Sequence, residues 1–206
     1  MASAIFFGLP AHGHTNPTLP IVAELVRQGE QIIYYSTEAF HAPIEATGNE
    51  FYRCCFEAFE QSDYQVVMSI GKHTTREQLD PTPENFMVCQ SVPQLELLQR
   101  ATLFITHAGM NSTNVALYYG VPLPAIPQAT DQHYIARRIE QSGAGIRLSP
   151  KQVTASRLRN SADEIRTHAK YAQASARIGA SLRQAGGIQA ALQAIQQFKQ
   201  RYHIEL

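Results

Sequence analysis

The sequence contains no tryptophan and only three cysteines, Cys54, Cys55 and Cys89. An odd number of cysteines, two of them adjacent, fits neither a disulfide framework nor a CxxC metal-binding motif. We therefore expect free thiols that are buried or half-buried, as in a reducing compartment. The sequence also lacks an 18-residue apolar run and a basic, signal-like start. These absences predict a cytoplasmic protein with no membrane partner.

Neither sign of charge is in excess. Lys and Arg together number 17, and Asp and Glu also number 17, so the formal net charge is zero. Attraction to nucleic acid or to an acidic membrane usually needs a basic excess, so we expect neither partner. Hydrophobic residues make up 44% of the 206, which excludes intrinsic disorder and allows a sizeable core.

Short apolar runs alternate with amphipathic stretches along most of the chain. Strands are predicted at residues 4–7, 31–35, 50–53, 65–70, 85–89, 103–106, 122–126 and 145–148. Helices are predicted at residues 17–27, 38–46, 56–60, 94–99, 111–119 and 132–141, and from 154 onward with a break at residues 186–187. This alternation predicts an α/β fold, with a mostly parallel sheet of six or seven strands flanked by helices. We expect residues 1–206 to form a single Rossmann-like domain.

Three segments that follow predicted strands carry polar side chains suited to chemistry. The first, residues 9–17, contains His14 between a strand and a helix. Ligands of parallel α/β sheets bind at the carboxyl ends of the strands, and a histidine there is placed for acid–base catalysis. A histidine that only caps the local backbone would look the same in the sequence, and both interpretations stay open.

The second segment, residues 106–113, combines small residues with His107, Gly109, Asn111 and Ser112 at the start of a predicted helix. Small residues allow a ligand to approach the backbone, and the free N–H groups and dipole of a helix N-terminus attract phosphate. Ordinary turn and capping chemistry is the alternative, since Asn and Ser are good N-cap residues. The segment matches neither a Walker loop nor a GxGxxG motif.

The third segment, residues 127–133, contains Asp131 and Gln132 after the strand at residues 122–126. Adjacent acidic and amide side chains at a strand end are suited to binding the hydroxyl pairs of a sugar. The alternative is that Asp131 is a helix N-cap.

Together these motifs resemble the donor-binding signature of UDP-dependent glycosyltransferases, most closely the bacterial macrolide-type and flavonoid-modifying enzymes. The residues that carry the resemblance are 11–20, 92–94, 107–113, 120–122 and 131–132. Members of that family have the GT-B architecture, in which an N-terminal domain binds the acceptor and a C-terminal domain binds the UDP-sugar.

The resemblance implies a role for each matched residue. His14 matches the catalytic base that deprotonates an acceptor hydroxyl, and Gln94 matches a contact to the uracil–ribose end. The diphosphate contacts correspond to His107, Asn111 and Ser112, with Gly109 in the same turn, and the donor-sugar contacts correspond to Asp131 and Gln132. The implied reaction is an inverting displacement at the anomeric carbon, with a UDP-sugar as donor substrate, a small hydroxylated acceptor, and no metal or other cofactor.

The sequence also departs from the family pattern. Residues 1–53 resemble only the start of the acceptor domain, and residues 54–206 resemble the donor domain without its first strand. We therefore interpret the chain as an internally deleted or chimeric, half-length version, in which the strand at residues 4–7 takes the missing central place. Ala108 replaces the second residue of the usual His-Gly-Gly, and Val115 stands where the family has a glutamate that holds the ribose hydroxyls.

These departures predict a glycosyltransferase-derived, UDP-binding domain with weak or no transferase activity. The alternative is an active inverting UDP-sugar transferase for small aromatic or macrolide acceptors, including one that works only as an oligomer. We also expect self-association, because the last helix carries apolar residues at helical spacing and the fused sheet leaves an open edge. Those apolar residues are Ile188, Leu192, Ile195, Phe198 and Tyr202.

Overall fold

The computed structural model describes residues 3–7, 31–35, 48–71 and 74–203. The strands are β1 (Ser3–Phe7), β2 (Gln31–Tyr35), β3 (Val66–Ser69), β4 (Phe86–Cys89), β5 (Leu123–Ala125) and β6 (Gly145–Arg147). The helices are α1 (Gly48–Phe59), α2 (Gln94–Leu98), α3 (Met110–Tyr118), α4 (Thr130–Gln141), α5 (Ala155–Thr167), α6 (Ala169–Gln184) and α7 (Gly187–Arg201). The helices predicted at residues 17–27 and 38–46 lie outside the described residues.

The strands pair in parallel, as the alternating pattern predicts, and helices flank them. The hydrogen-bond ladders join β1 with β2, β3 with β4, and β5 with β6. The α/β class is confirmed. The described ladders do not form the expected continuous sheet, however, and they pair β1 with β2 instead of placing it among the strands of the C-terminal half. The single-domain arrangement stays a prediction.

The strand predicted at residues 103–106 is reduced to one parallel bridge between Thr106 and Ala125. Phe104 N–H donates to the Pro122 carbonyl at 3.1 Å, and Thr106 N–H donates to the Pro124 carbonyl at 3.0 Å. The return bond to the Phe104 carbonyl would have to come from residue 124. Proline has no N–H, so the ladder is interrupted there although the segment runs beside β5.

The strand predicted at residues 50–53 is wrong, because these residues belong to α1. The aromatic pair Phe51 and Tyr52 favours a strand when it is taken alone. Over a longer window, however, Phe51, Cys55 and Phe59 recur every four residues, which is a helical spacing. The α1 helix packs against α5, and its residues Phe51, Cys55 and Phe59 contribute to a buried apolar cluster.

Two buried clusters form the core. The first lies among α2, α3, β5, α4 and α6 and includes Leu117, Leu123 and Ile139. The second lies among α1, β3, β4 and α5 and includes Phe56, Met68, Phe86 and Leu158; Ile126, just after β5, also belongs to it. The end of β5 therefore contributes to both clusters, and the turn that follows β5 begins just after the buried residue Ile126.

The C-terminal part is helical, as predicted, with one more break than expected. Besides the break at Gly186, where φ is +78°, the chain is extended at His168, between α5 and α6. In α7, Leu192 is buried, whereas Ile188 and Phe198, and Tyr202 just after the helix, are exposed. This helix therefore keeps an uncovered apolar face among the described residues.

The three cysteines are free, and they are buried or half-buried as predicted. Burial raises the pKa of the Cys55 thiol to about 12, so this thiol stays protonated and unreactive at neutral pH. A cytoplasmic location stays a prediction from the cysteine pattern. No helix among the described residues is long and apolar enough to cross a membrane.

Candidate functional site

The predicted site residues lie at the starts of three helices and in one turn. Gln94 is the first residue of α2, and Asn111 and Ser112 are in the first turn of α3. Asp131 and Gln132 are in the first turn of α4. His107 and Gly109 form the turn that leads into α3. His14, the predicted catalytic base, lies outside the described residues.

Backbone pairing places two of these segments side by side, at the carboxyl ends of neighbouring strands. Thr106 pairs in parallel with Ala125, and Ile126 N–H donates to the Thr106 carbonyl at 2.8 Å. The chain therefore leaves two neighbouring parallel strands side by side, into the His107 turn and into the turn at residues 127–129. Proteins with parallel α/β sheets bind ligands at the carboxyl ends of the strands, where these two turns lie.

The turn before α3 has a left-handed residue at its centre. Ala108 has φ +64° and is fully buried, and its N–H donates to Thr106 Oγ1 at 3.2 Å. A left-handed conformation costs a residue with a side chain about 1–2 kcal/mol. Ala108 occupies the position where the family pattern has glycine, so this turn keeps its conformation at an energetic cost.

Gly109 allows the His107 ring to lie against the backbone. A Cβ atom at residue 109 would lie 2.5 Å from His107 Nε2, which is closer than any real contact. A side chain there would have to displace the imidazole. The absence of a side chain at Gly109 therefore leaves room for the His107 ring and allows a ligand to approach the backbone.

The N-terminus of α3 carries unused hydrogen-bond donors. Gly109 is its N-cap and provides no capping side chain, and the first backbone bond of the helix runs from Thr113 N–H to the Gly109 carbonyl at 3.0 Å. The N–H groups of Met110, Asn111 and Ser112 consequently have no partner among the described residues. They form the positive end of the helix dipole and can bind an anion.

The electrostatics of His107 favour a neutral ring at neutral pH. The side chain remains exposed, yet the protein atoms around the ring exclude enough water to lower the pKa of His107. The negative charge of Asp131 acts in the opposite direction. This effect also indicates that the His107 turn and the start of α4 lie within electrostatic range of each other.

Gln132 holds the turn before α4 in place. Its Oε1 accepts hydrogen bonds from the N–H groups of Gln128 and Ala129, at 2.8 and 3.0 Å. The N-cap of α4 is Ala129, so the capping role considered for Asp131 is filled by Gln132. Asp131 itself is exposed at this edge. In Gln132 only the amide nitrogen is left for a ligand.

Gln94 and Val115 lie farther along the chain from the His107 turn than the predicted site residues on α3 do. Gln94 is half-buried, and its helix α2 contacts α3. Val115 lies one helical turn beyond Asn111, is half-buried, and packs against the first core cluster. The structure therefore explains Val115 as a core contact, on the same side of α3 as Asn111.

Sequence reasoning missed the roles of Thr106 and Gln128. Thr106 supports the left-handed Ala108 through its hydroxyl, and Gln128 Nε2 donates to the Ile126 carbonyl at 3.1 Å. A threonine two residues before a turn is a known turn-forming signal that could have indicated the first. Within residues 50–71 and 74–203, no group of three or more His, Cys, Asp or Glu side chains is placed to hold a metal ion.

Comparison with known proteins assigns the fold to a family. Residues 53–185 match the model of the erythromycin biosynthesis protein CIII-like, C-terminal domain. The chain belongs to this UDP-glycosyltransferase family. It is 42% identical over 146 residues to the uncharacterized UDP-glucosyltransferase YojK of Bacillus subtilis, with 71% of this chain and 36% of YojK covered. It is also 42% identical over 149 residues to the NDP-glycosyltransferase YjiC of Bacillus licheniformis, with 72% and 38% covered.

Solved structures agree with this assignment. The calicheamicin glycosyltransferase CalG4 superposes with a TM-score of 0.72 at 27% identity, over 75% of this chain and 40% of CalG4. The kitacinnamycin glycotransferase gives 0.69 at 32% identity, over 76% and 41%. The chain thus spans less than half the length of each of these relatives. The family resemblance of the sequence is confirmed for the glycosyltransferase C-terminal domain.

Proposed function

We propose that the chain binds the nucleoside diphosphate of a UDP-sugar at the His107 turn and the N-terminus of α3. The observation that carries the proposal is the set of N–H groups of Met110, Asn111 and Ser112, which no described residue pairs, with His107 beside them. A diphosphate brings negative charge and several acceptor oxygens to these donors. Each hydrogen bond to a charged group contributes about 1.5–3 kcal/mol, and the helix dipole adds about 0.3–1 kcal/mol.

The contacts proposed for the rest of the donor are those that the family resemblance implies. Gln94, at the start of α2, is proposed to contact the uracil–ribose end. Asp131, exposed at the start of α4, is proposed to accept hydrogen bonds from sugar hydroxyls. We expect a smaller contribution from Gln132, because its Oε1 already accepts two backbone N–H groups.

We further propose that the chain has weak or no transferase activity. Most of the acceptor domain has no counterpart in the sequence, and neither does the acidic residue that would orient His14; without it a histidine is a weaker base. An active transferase, on its own or as an oligomer, is the second candidate, favoured by the 42% identity to a UDP-glucosyltransferase. An assay with UDP-glucose and a phenolic acceptor separates them: turnover that is lost in His14→Ala would establish the second candidate.

Removing either side chain at the diphosphate site should weaken UDP binding. We expect His107→Ala and Ser112→Ala each to raise the Kd for UDP by about 10- to 100-fold, the loss of roughly one hydrogen bond to a charged group. Isothermal titration calorimetry measures this directly. His203→Ala and Ser156→Ala change the same residue types at exposed positions away from α3 and should leave the Kd unchanged.

The outcomes of this titration are distinct. If neither site variant changes the affinity, the diphosphate binds elsewhere. If all four variants weaken binding equally, the losses reflect general stability and not contacts to the ligand. Either result would contradict the proposed site.

Binding should also depend on pH through His107. In the chain without nucleotide, the pKa of His107 lies below its ordinary value of about 6.5. The negative charge of a bound diphosphate would raise this pKa. Binding therefore takes up a proton, and affinity should increase as pH falls from 7.5 to 5.5. UDP-glucose is the suitable probe, because its diphosphate diester does not titrate in this range, whereas the terminal phosphate of UDP does.

The control for the pH series is His107→Gln, which keeps a hydrogen-bond donor but cannot titrate. Its affinity for UDP-glucose should be flat over the same pH range. A wild-type affinity that falls with decreasing pH would show that a protonated His107 does not face the diphosphate.

A further inference from the structure

The entry into α3 depends on one left-handed alanine. Ala108 has φ +64°, and the next residue, Gly109, is extended and is the N-cap of α3. The left-handed conformation is costly for a residue with a side chain and is readily adopted by glycine. Because the chain changes direction at Ala108, the conformation of this residue sets how the first turn of α3 is oriented relative to the preceding strand.

Two contacts hold Ala108 in this conformation. The residue is fully buried and belongs to the first core cluster. Its N–H donates to Thr106 Oγ1 at 3.2 Å, and Thr106 is itself buried. Because water does not reach this N–H, removal of the hydroxyl would take away the acceptor without a substitute from the solvent. The Thr106 hydroxyl therefore favours the left-handed turn over backbone conformations that direct the N–H elsewhere.

The backbone of Thr106 is fixed on the side of β5. Its N–H donates to the Pro124 carbonyl at 3.0 Å, and its carbonyl accepts the Ile126 N–H at 2.8 Å. These two bonds hold the Thr106 hydroxyl in one place relative to the sheet. Thr106 is thus able to act on the turn from the strand, without contacting a ligand.

We propose that Thr106 is a positioning residue for the diphosphate site. Its hydroxyl keeps Ala108 left-handed, and this conformation directs the first N–H groups of α3 to the ligand. This inference rests on the proposed function. With glycine at residue 108 the left-handed turn would not carry the same steric cost, so the dependence on the hydroxyl follows from the alanine that this chain has there.

Loss of the hydroxyl should weaken UDP binding. Thr106→Val keeps the size and the branched shape of the side chain and removes only the acceptor. A fraction of the molecules should then leave the left-handed turn, and the Kd for UDP should rise about ten-fold, because only the left-handed fraction binds. Thr106→Ser keeps the hydroxyl and should stay within about two-fold of the wild type. Isothermal titration calorimetry measures both.

Ala108→Gly should rescue the affinity of Thr106→Val. Glycine adopts the left-handed conformation without the steric cost, so the double variant should bind UDP within about three-fold of Ala108→Gly alone. Ser161→Ala is the matched control. It removes another buried hydroxyl, which donates to the Leu158 carbonyl at 2.8 Å within α5, and it should leave the Kd unchanged.

The conformation of residue 108 can be measured without a ligand. The one-bond NMR coupling between its Cα and Hα depends on the sign of φ. We expect the coupling of a positive φ in the wild type and in Thr106→Ser. In Thr106→Val the coupling should move towards the value of a negative φ.

The proposal would be overturned by a coupling that Thr106→Val leaves unchanged, whatever happens to the Kd. An unchanged Kd in a variant whose coupling has moved would also overturn it. So would a loss of affinity from Thr106→Val that is equal with and without Ala108→Gly. A wild type that does not bind UDP would contradict the proposed function instead, and the coupling would then still decide whether Thr106 holds the turn.

Discussion

Replacing Gly145 with alanine should lower the free energy of unfolding by about 3–5 kcal/mol. A Cβ atom at this position would lie 1.8 Å from the Leu123 carbonyl oxygen and 2.8 Å from its carbon. These are backbone atoms of β5, so no side-chain rotation can relieve the collision. The β5 and β6 strands would have to separate, and with them the turn that follows β5. Urea unfolding followed by circular dichroism measures the loss.

Gly71→Ala is the control for this experiment. Gly71 has φ +74°, and no atom of the described residues lies within 4 Å of the position that a Cβ atom would occupy there. Alanine at this residue meets only the conformational cost of the left-handed region, about 1–2 kcal/mol. Equal losses at residues 71 and 145 would contradict the close approach of β6 to β5.

Restoring a carboxylate on α3 should produce the largest gain in binding. We expect Val115→Glu to lower the Kd for UDP by about 10- to 100-fold, because a charge-assisted hydrogen bond to ribose contributes about 1.5–3 kcal/mol. Val115 is half-buried against the first core cluster, so the same change should cost about 1 kcal/mol of stability. Calorimetric titration at pH 7.5 measures the affinity.

The nucleotide itself provides the control. 2′,3′-Dideoxyuridine diphosphate lacks both ribose hydroxyls, so its affinity should not increase in Val115→Glu. Val115→Gln, which has the shape without the charge, should show only a part of the gain. If the gain is the same for UDP and for the dideoxy nucleotide, the ribose does not lie across α3 at residue 115.

Much of the fold could be predicted from periodicity. Strands β2, β3, β4 and β5 lie within the predicted bounds, and α3 and α4 differ from them by one or two residues. These elements have a strong apolar pattern and clear ends, such as Gly120 with φ +76° after α3. The break at His168 has no glycine or proline to mark it, so the sequence pattern does not reveal it.

The errors have local physical causes. The first half of α1 resembles a strand because four residues cannot distinguish an aromatic strand from one side of a helix. The bridge at Thr106 is short because Pro124 lacks an N–H. Which edge pairs with which strand depends on long-range contacts, and no short segment of sequence contains that information.

The sequence was sufficient to predict which segments form the candidate site. It was not sufficient to predict which side-chain atoms are available to a ligand. The positions of His107, Asn111 and Asp131 at strand ends and helix starts followed from the alternating pattern. The use of Gln132 as a backbone cap did not, since a glutamine side chain can reach either the backbone or a ligand. The dependence of the His107 ring position on Gly109 needs three-dimensional contacts.

The proposed function requires a diphosphate to bind to the N–H groups of Met110, Asn111 and Ser112 at the start of α3. Amide chemical shifts of the ¹⁵N-labelled chain, recorded during a titration with UDP, test it most directly. We expect saturable shifts concentrated at Gly109, Met110, Asn111 and Ser112, because hydrogen bonds to phosphate deshield these amides. Shifts that are absent, or that map to other helices while these amides stay unchanged, would contradict it.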